Sequence, residues 1–202
     1  MTEVSINKQV KLSEHFTLGE LCKTGVKTAD GNIPSHVHIE NLKRVCEWLE
    51  ELRRRYNQQY VCENEERSVS PPELGGARGG LNEGMSGASS DHPAHTGTPP
   101  NLGGEINTDA PIIITSGYRS PELNKKVGGS PTSNHLTGCA VDIRVYGIEQ
   151  AMRYAVILMD YADETRQDYD ELLIEKNSRG AIWLHFAVRH KDNRRKTMFL
   201  QK

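Results

Sequence analysis

The sequence predicts an α+β fold: a small, mainly antiparallel sheet with helices packed on one side. Three observations lead there. Apolar residues recur at helical spacing early in the chain, short β-branched or alternating stretches crowd the second half, and a Gly-, Pro- and Ser-rich run lies between them. At 202 residues the chain can bury one ordinary core. Hydrophobic residues make up 36% of it, low for a globular protein, which a segment outside the core would explain.

The elements follow in order. Thr17-Leu18-Gly19-Glu20 fits a capping box, with Phe16 and Leu21 as its hydrophobic staple, so a short helix starts there. From Ser35 to Tyr56, Ile39, Leu42, Val45, Cys46, Leu49, Leu52 and Tyr56 form one apolar stripe. Arg53, Arg54 and Arg55 then read as a solvated helix C-terminus, where cations suit the dipole. Residues 64–108 have no apolar periodicity and cannot bury enough surface to offset the entropy of ordering them. They read as a disordered insertion within a single domain spanning 1–202, with His92 and His95 as solvated side chains.

Beyond the insertion, Ile112 to Thr115 is a buried strand. Ser120-Pro121-Glu122 reads as N-cap, N1 proline and acidic first turn of a short helix stopped at Gly128-Gly129. Ala140 to Val145 is a strand. Ile148 to Ala162 is a helix with Met152, Ala155, Val156 and Met159 along one side. Tyr169 to Glu175, Ala181 to Val188 and Arg194 to Leu200 are strands.

Charge and composition narrow the partners. A net charge of −2 gives no global positive field for nucleic acid. No run is long and apolar enough for a membrane span, and the N-terminus lacks the apolar core of a signal peptide. The expectation is synthesis in the cytoplasm. Cys22, Cys46, Cys62 and Cys139 lack the close spacing of a zinc knuckle or redox pair and read as reduced thiols, with Cys139 packed in the core.

Strand alternation then picks out a site. In HLTGCAVD, Val141, Ile143 and Val145 face the core, which leaves Asp142 on the other face beside the loop carrying His135. In AIWLHFAV, Ile182, Leu184 and Phe186 face the core, so His185 points to the site side with Trp183 next to it. Two imidazoles and one carboxylate are a zinc ligand set that leaves a fourth position open. Glu175, on the face opposite Leu172 and Ile174, can serve as general base if its strand pairs with that of His185. Arg119, after the Ile-rich strand, can donate to a substrate carbonyl or carboxylate. Taken singly, each residue also has a plain structural reading: a hydrogen-bonded His–Asp pair, a structural strand His, a capping or paired Arg, a solvated Glu at a strand end.

Together, SGYRSPELNKKVGGSPTSNHLTGCAVDI and the later WLHFAV resemble the zinc D-alanyl-D-alanine carboxypeptidases. That superfamily takes in vancomycin-resistance dipeptidases, phage L-alanyl-D-glutamate endopeptidases and the signalling domain of hedgehog proteins. HFTLGEL and the helix after it are similar to the phage and mobile-element branch. The resemblance implies a zinc peptidase acting on D-amino-acid-containing stem peptides of peptidoglycan, at the cell wall. It implies zinc on His135, Asp142 and His185, carbonyl polarisation by Arg119, and a contact to substrate or to the ligand loop from Ser133. Tyr118 and Trp183 join Ser133 as substrate-binding candidates. The acidic base falls on Glu175, although many members keep that acid nearer the last His, where this chain has Ile182 and Trp183. Two rival expectations are a zinc site kept for structure or binding, and a phage or mobile-element component that binds wall material without cutting it.

Overall fold

The computed structural model of the chain describes residues 7, 9–61 and 109–201. The predicted insertion at 64–108, its two histidines and Cys62 lie outside them.

Helix α1 (Leu18–Leu21) starts as its capping box dictates: the Glu20 amide donates to Thr17 Oγ1 at 3.3 Å, and the Thr17 amide donates to Glu20 Oε2 at 2.9 Å. Phe16 and Leu21 are both buried. Helix α2 (His36–Tyr56) buries Leu42, Val45, Cys46, Leu49 and Leu52 from the predicted stripe, and adds Trp48. Each fully buried leucine stabilises the fold by about 1.5–3 kcal/mol. The arginines at its end are not the solvated terminus expected. Arg55 is mostly buried and forks onto Glu164 while also reaching Glu51, and Arg53 pairs with Asp109. Only Arg54 of the three is exposed. Arg53 and Arg55 tie α2 to distant parts of the chain, while Arg54 bonds Glu51 and Gln58 locally. The helix runs on into a π-turn, Asn57–Val61.

Strand β1 (Ile114–Ser116) is shorter and later than predicted. Its register against β2 (Ala140–Arg144) slips between Ile114 and Ser116, which pair with Ile143 and Asp142. The bulge brings Ser116 beside Asp142, while Ile112 stays buried just before the strand. Helix α3 (Pro121–Lys126) has Ser120 as N-cap and Pro121 at N1, as the sequence indicates. A 3-10 turn (Asn134–Thr137) ends at Gly138, which turns the chain into β2.

Helix α4 (Ile148–Thr165) buries Ala151, Tyr154, Ala155, Ile157, Leu158 and Ala162. This corrects the predicted face: Met152 is 51% exposed and Val156 45%. Tyr154 packs edge-on against Tyr56 at 4.8 Å and sets the rotation of the helix, turning those two residues to solvent.

Strands β3 (Glu171–Lys176), β4 (Ile182–Ala187) and β5 (Lys196–Gln201) complete a five-stranded sheet in the order β1-β2-β4-β3-β5. All pairings are antiparallel except β3 with β5. Val141, Ile143, Leu172, Ile174, Leu184 and Phe186 form one core with α2 and α4, in which Trp48 meets Phe186 at 5.4 Å. Residues from both sides of 62–108 contribute to that core. The long helices thus cover one sheet face, and the other carries the polar residues of the strands.

Candidate metal centre

The register across β2, β4 and β3 aligns Asp142, His185 and Leu173 on the helix-free face. Glu171 and Glu175 flank Leu173 on the same face, as strand alternation requires. His135 comes from the 3-10 turn just before β2. Its backbone nitrogen donates to the Ser133 hydroxyl at 3.3 Å, and its carbonyl accepts from the Arg119 amide at 3.0 Å. The ligand loop is therefore fixed from both sides.

His135, Asp142 and His185 are all buried, and one ligand atom from each lies within 4.8 Å of the others. His135 Nδ1 donates to the Gly117 carbonyl at 2.7 Å, which leaves Nε2 bare and 3.2 Å from Asp142 Oδ1. His185 Nδ1 lies 2.9 Å from the same oxygen. Metal–ligand bonds of zinc length give a tetrahedron with edges of about 3.3 Å. The donor types and their spacing therefore fit such an ion. The second oxygen of Asp142 is held by Arg119, whose Nε also donates to Ser116 Oγ at 2.8 Å. Arg119 thus lines the site while gripping a ligand, a role the sequence offered only as the plain alternative to substrate contact.

The electrostatics separate the two histidines. Burial holds His135 below its ordinary pKa, against the pull of Asp142, which favours the neutral ring that metal binding requires. Burial would also lower His185, but its hydrogen bond to Asp142 and the nearby Glu171 carboxylate outweigh it and raise the imidazole to about 9. Burial opposes ionisation of Asp142, yet the neighbouring histidines hold its carboxyl far below the usual range.

Glu175 is buried and lies directly across from Trp183 in the ladder. Both line a cleft of about 700 Å³ with Ser133, Arg119 and the three candidate ligands. Lys23, Thr24 and Arg194 also line it. Tyr118 is the exception among the sequence candidates. It is 4% exposed, belongs to the core, and stacks on His38 at 4.7 Å. Its neighbour Arg119 turns to the cleft, while the Tyr118 ring turns inward. The structure therefore removes Tyr118 from the cleft wall.

Sequence reasoning missed Glu171, Asn134, Ser116 and Arg194. Glu171 was within reach, because the alternation that places Leu173 and Glu175 extends one step further back. The neighbouring His185 ring leads the effects that bring the Glu171 pKa down to about 2, with Arg194 and Asn134 adding to it. A carboxylate so well solvated by donors is a poor proton acceptor.

Residues 105–168 match the family model described as Peptidase M15. The matched stretch includes Arg119, Ser133, His135 and Asp142, and it ends before β3 and β4. A comparison with curated proteins gave no match. The family match and the buried His–Asp–His cluster together support a metal-dependent peptidase. Among the described residues, no helix is long and apolar enough to cross a membrane.

Proposed function

We propose that this chain is a zinc peptidase that hydrolyses stem peptides of peptidoglycan, either at D-Ala-D-Ala termini or at L-Ala-D-Glu links. The observation that carries the reading is the cluster of His135, Asp142 and His185, with the His135 tautomer fixed so that Nε2 faces Asp142. Bound there, zinc would supply Lewis-acid polarisation of the scissile carbonyl and acidify a water. Glu175 takes the proton of the attacking water and passes it to the leaving amine. Arg119 holds the second oxygen of Asp142 and orients it, and its guanidinium lies beside the cleft where oxyanion charge develops. Ser133 holds the ligand loop through the His135 amide. Trp183 supplies an apolar wall beside Glu175. A wall-peptide substrate places the site of action at the cell wall.

The test is release of free amines and D-alanine from purified peptidoglycan, with zinc, with chelator, and with His185→Ala. Chelator-sensitive release supports the peptidase, and free D-alanine marks the carboxypeptidase. Zinc-loaded protein that binds peptidoglycan and releases nothing overturns it in favour of a non-catalytic wall-binding component.

A further inference from the structure

Two carboxylates, Glu171 and Glu175, flank the centre on β3. Glu171 is engaged on both oxygens. Its Oε1 lies 3.1 Å from Arg194 Nη2 and 3.5 Å from Lys196 Nζ. Its Oε2 accepts from Asn134 Nδ2 at 3.0 Å and lies 3.7 Å from His185 Nε2. That last gap is just beyond hydrogen-bond length and within ion-pair distance. His185 Nδ1 faces Asp142 and the other ligand atoms, so Nε2 is the nitrogen left to carry a proton. Asn134 adds a second link. The same Nδ2 donates to Asp170 Oδ2 at 2.7 Å, and Asn134 immediately precedes His135. Glu171 therefore touches the His185 ring and the turn that carries the other histidine.

We propose that Glu171 is a positioning residue of the metal centre: it accepts the Nε2 proton of His185, commits that ring to the tautomer with a bare Nδ1, and through Asn134 locks the His135 turn against β3. The inference rests on the zinc reading above. The physical case is that a metal-bound imidazole almost always donates its other N–H to a fixed acceptor, which holds the tautomer and the ring orientation, and losing such an acceptor costs about 10–100-fold in metal affinity. His135 has its acceptor in the Gly117 carbonyl. His185 has a side chain in the same place, so its orientation depends on one residue that can be changed.

The experiment measures zinc affinity of the full chain by competition with a chromophoric chelator, for wild type, Glu171→Ala and Glu171→Gln, with thermal unfolding of each. A Gln side chain keeps an acceptor oxygen for His185 but loses the charge that Arg194 and Lys196 pair with. The proposal expects Glu171→Ala to bind zinc about 10–100-fold more weakly, with Glu171→Gln recovering most of that loss. In the zinc-loaded protein it expects NMR to show the His185 Nε2 proton protected from exchange with water in wild type and Glu171→Gln, and exchanging freely in Glu171→Ala. Unchanged affinity in Glu171→Ala overturns it. Equal weakening in both variants, with the His185 Nε2 proton equally protected in all three proteins, also overturns it, since Glu171 would then act only as an ion-pair partner. Failure of wild type itself to bind zinc would strike the metal-centre reading instead, and is told apart from these by the wild-type titration alone.

Discussion

Asp142 and His185 are direct partners across the β2–β4 ladder, and that register sets Oδ1 of one 2.9 Å from Nδ1 of the other. Two paired strands in the middle of a sheet are a stiffer mount for a metal ligand than a loop. The same carboxylate spans three partners, because Arg119 holds its second oxygen and His135 shares the first. Asp142→Asn keeps the volume but removes the charge that all three answer to. Zinc affinity should fall by more than the roughly 100-fold upper range seen for outer partners, with the chain still folded. Zinc per chain after dialysis, beside a thermal melt, measures both, and a variant that retains a full equivalent would remove Asp142 from the ligand set.

Glu175→Gln separates chemistry from metal binding. Glu175 is buried in the cleft wall beside Trp183, and its charge is near enough to help raise the His185 pKa. As general base it should account for about 10²–10⁴-fold in turnover. Peptide release by Glu175→Gln should drop by that factor while zinc stays bound. Release at the wild-type rate would transfer the base role to another group.

Much of this centre was legible because strands advertise their faces. Val141 and Ile143, Leu184 and Phe186, and Leu172 and Ile174 are apolar on alternate positions, so Asp142, His185 and Glu175 had to point the other way. Helix α4 marks the limit of periodicity. It carries more apolar residues than one face can hold, and spacing alone could not say that Tyr154 and Leu158 would be buried while Met152 and Val156 stayed exposed. Tyr118 failed for a related reason: adjacent residues in an irregular segment have no fixed alternation, so Arg119 in the cleft said nothing about its neighbour. The β1 bulge was equally hidden, since a register slip depends on the partner strand and leaves no mark in Ile112 to Thr115. The ion pairs of Arg53 and Arg55 needed Asp109 and Glu164, residues distant in sequence.

Asp170 gives the fold an acid-sensitive clasp. Its side chain is fully buried and takes donors from Asn134, Arg189 and Arg194. Burial opposes its ionisation, but hydrogen bonds led by Arg194 and Asn134 prevail and bring it from 3.8 to about 2. A depressed carboxyl stabilises the fold above its unfolded pKa, and that contribution fades as pH falls through the folded value. The shift corresponds to on the order of 2 kcal/mol, present above pH ~4 and lost toward pH ~2. Denaturant unfolding of wild type across that window should show the decline. Asp170→Asn should be less stable at neutral pH and show a shallower fall, and parallel curves for the two would refute the clasp.

Gly138 should be the most sensitive position in the turn that carries His135. Its φ is +71°, and a Cβ there would stand 2.7 Å from the His38 carbonyl oxygen of α2. Two penalties therefore combine on any substitution: left-handed backbone, worth about 1–2 kcal/mol for a side-chain-bearing residue, and a clash with backbone that cannot rotate away. Gly128 separates them. It has nearly the same φ, +70°, but a Cβ there would meet nothing within 4 Å. Gly128→Ala should lose about 1–2 kcal/mol in urea unfolding, and Gly138→Ala distinctly more. The second variant should also bind zinc more weakly, because relieving the clash moves the 3-10 turn and His135 with it. Equal losses in the two variants would mean that α2 yields to the methyl group and that the turn does not depend on this contact.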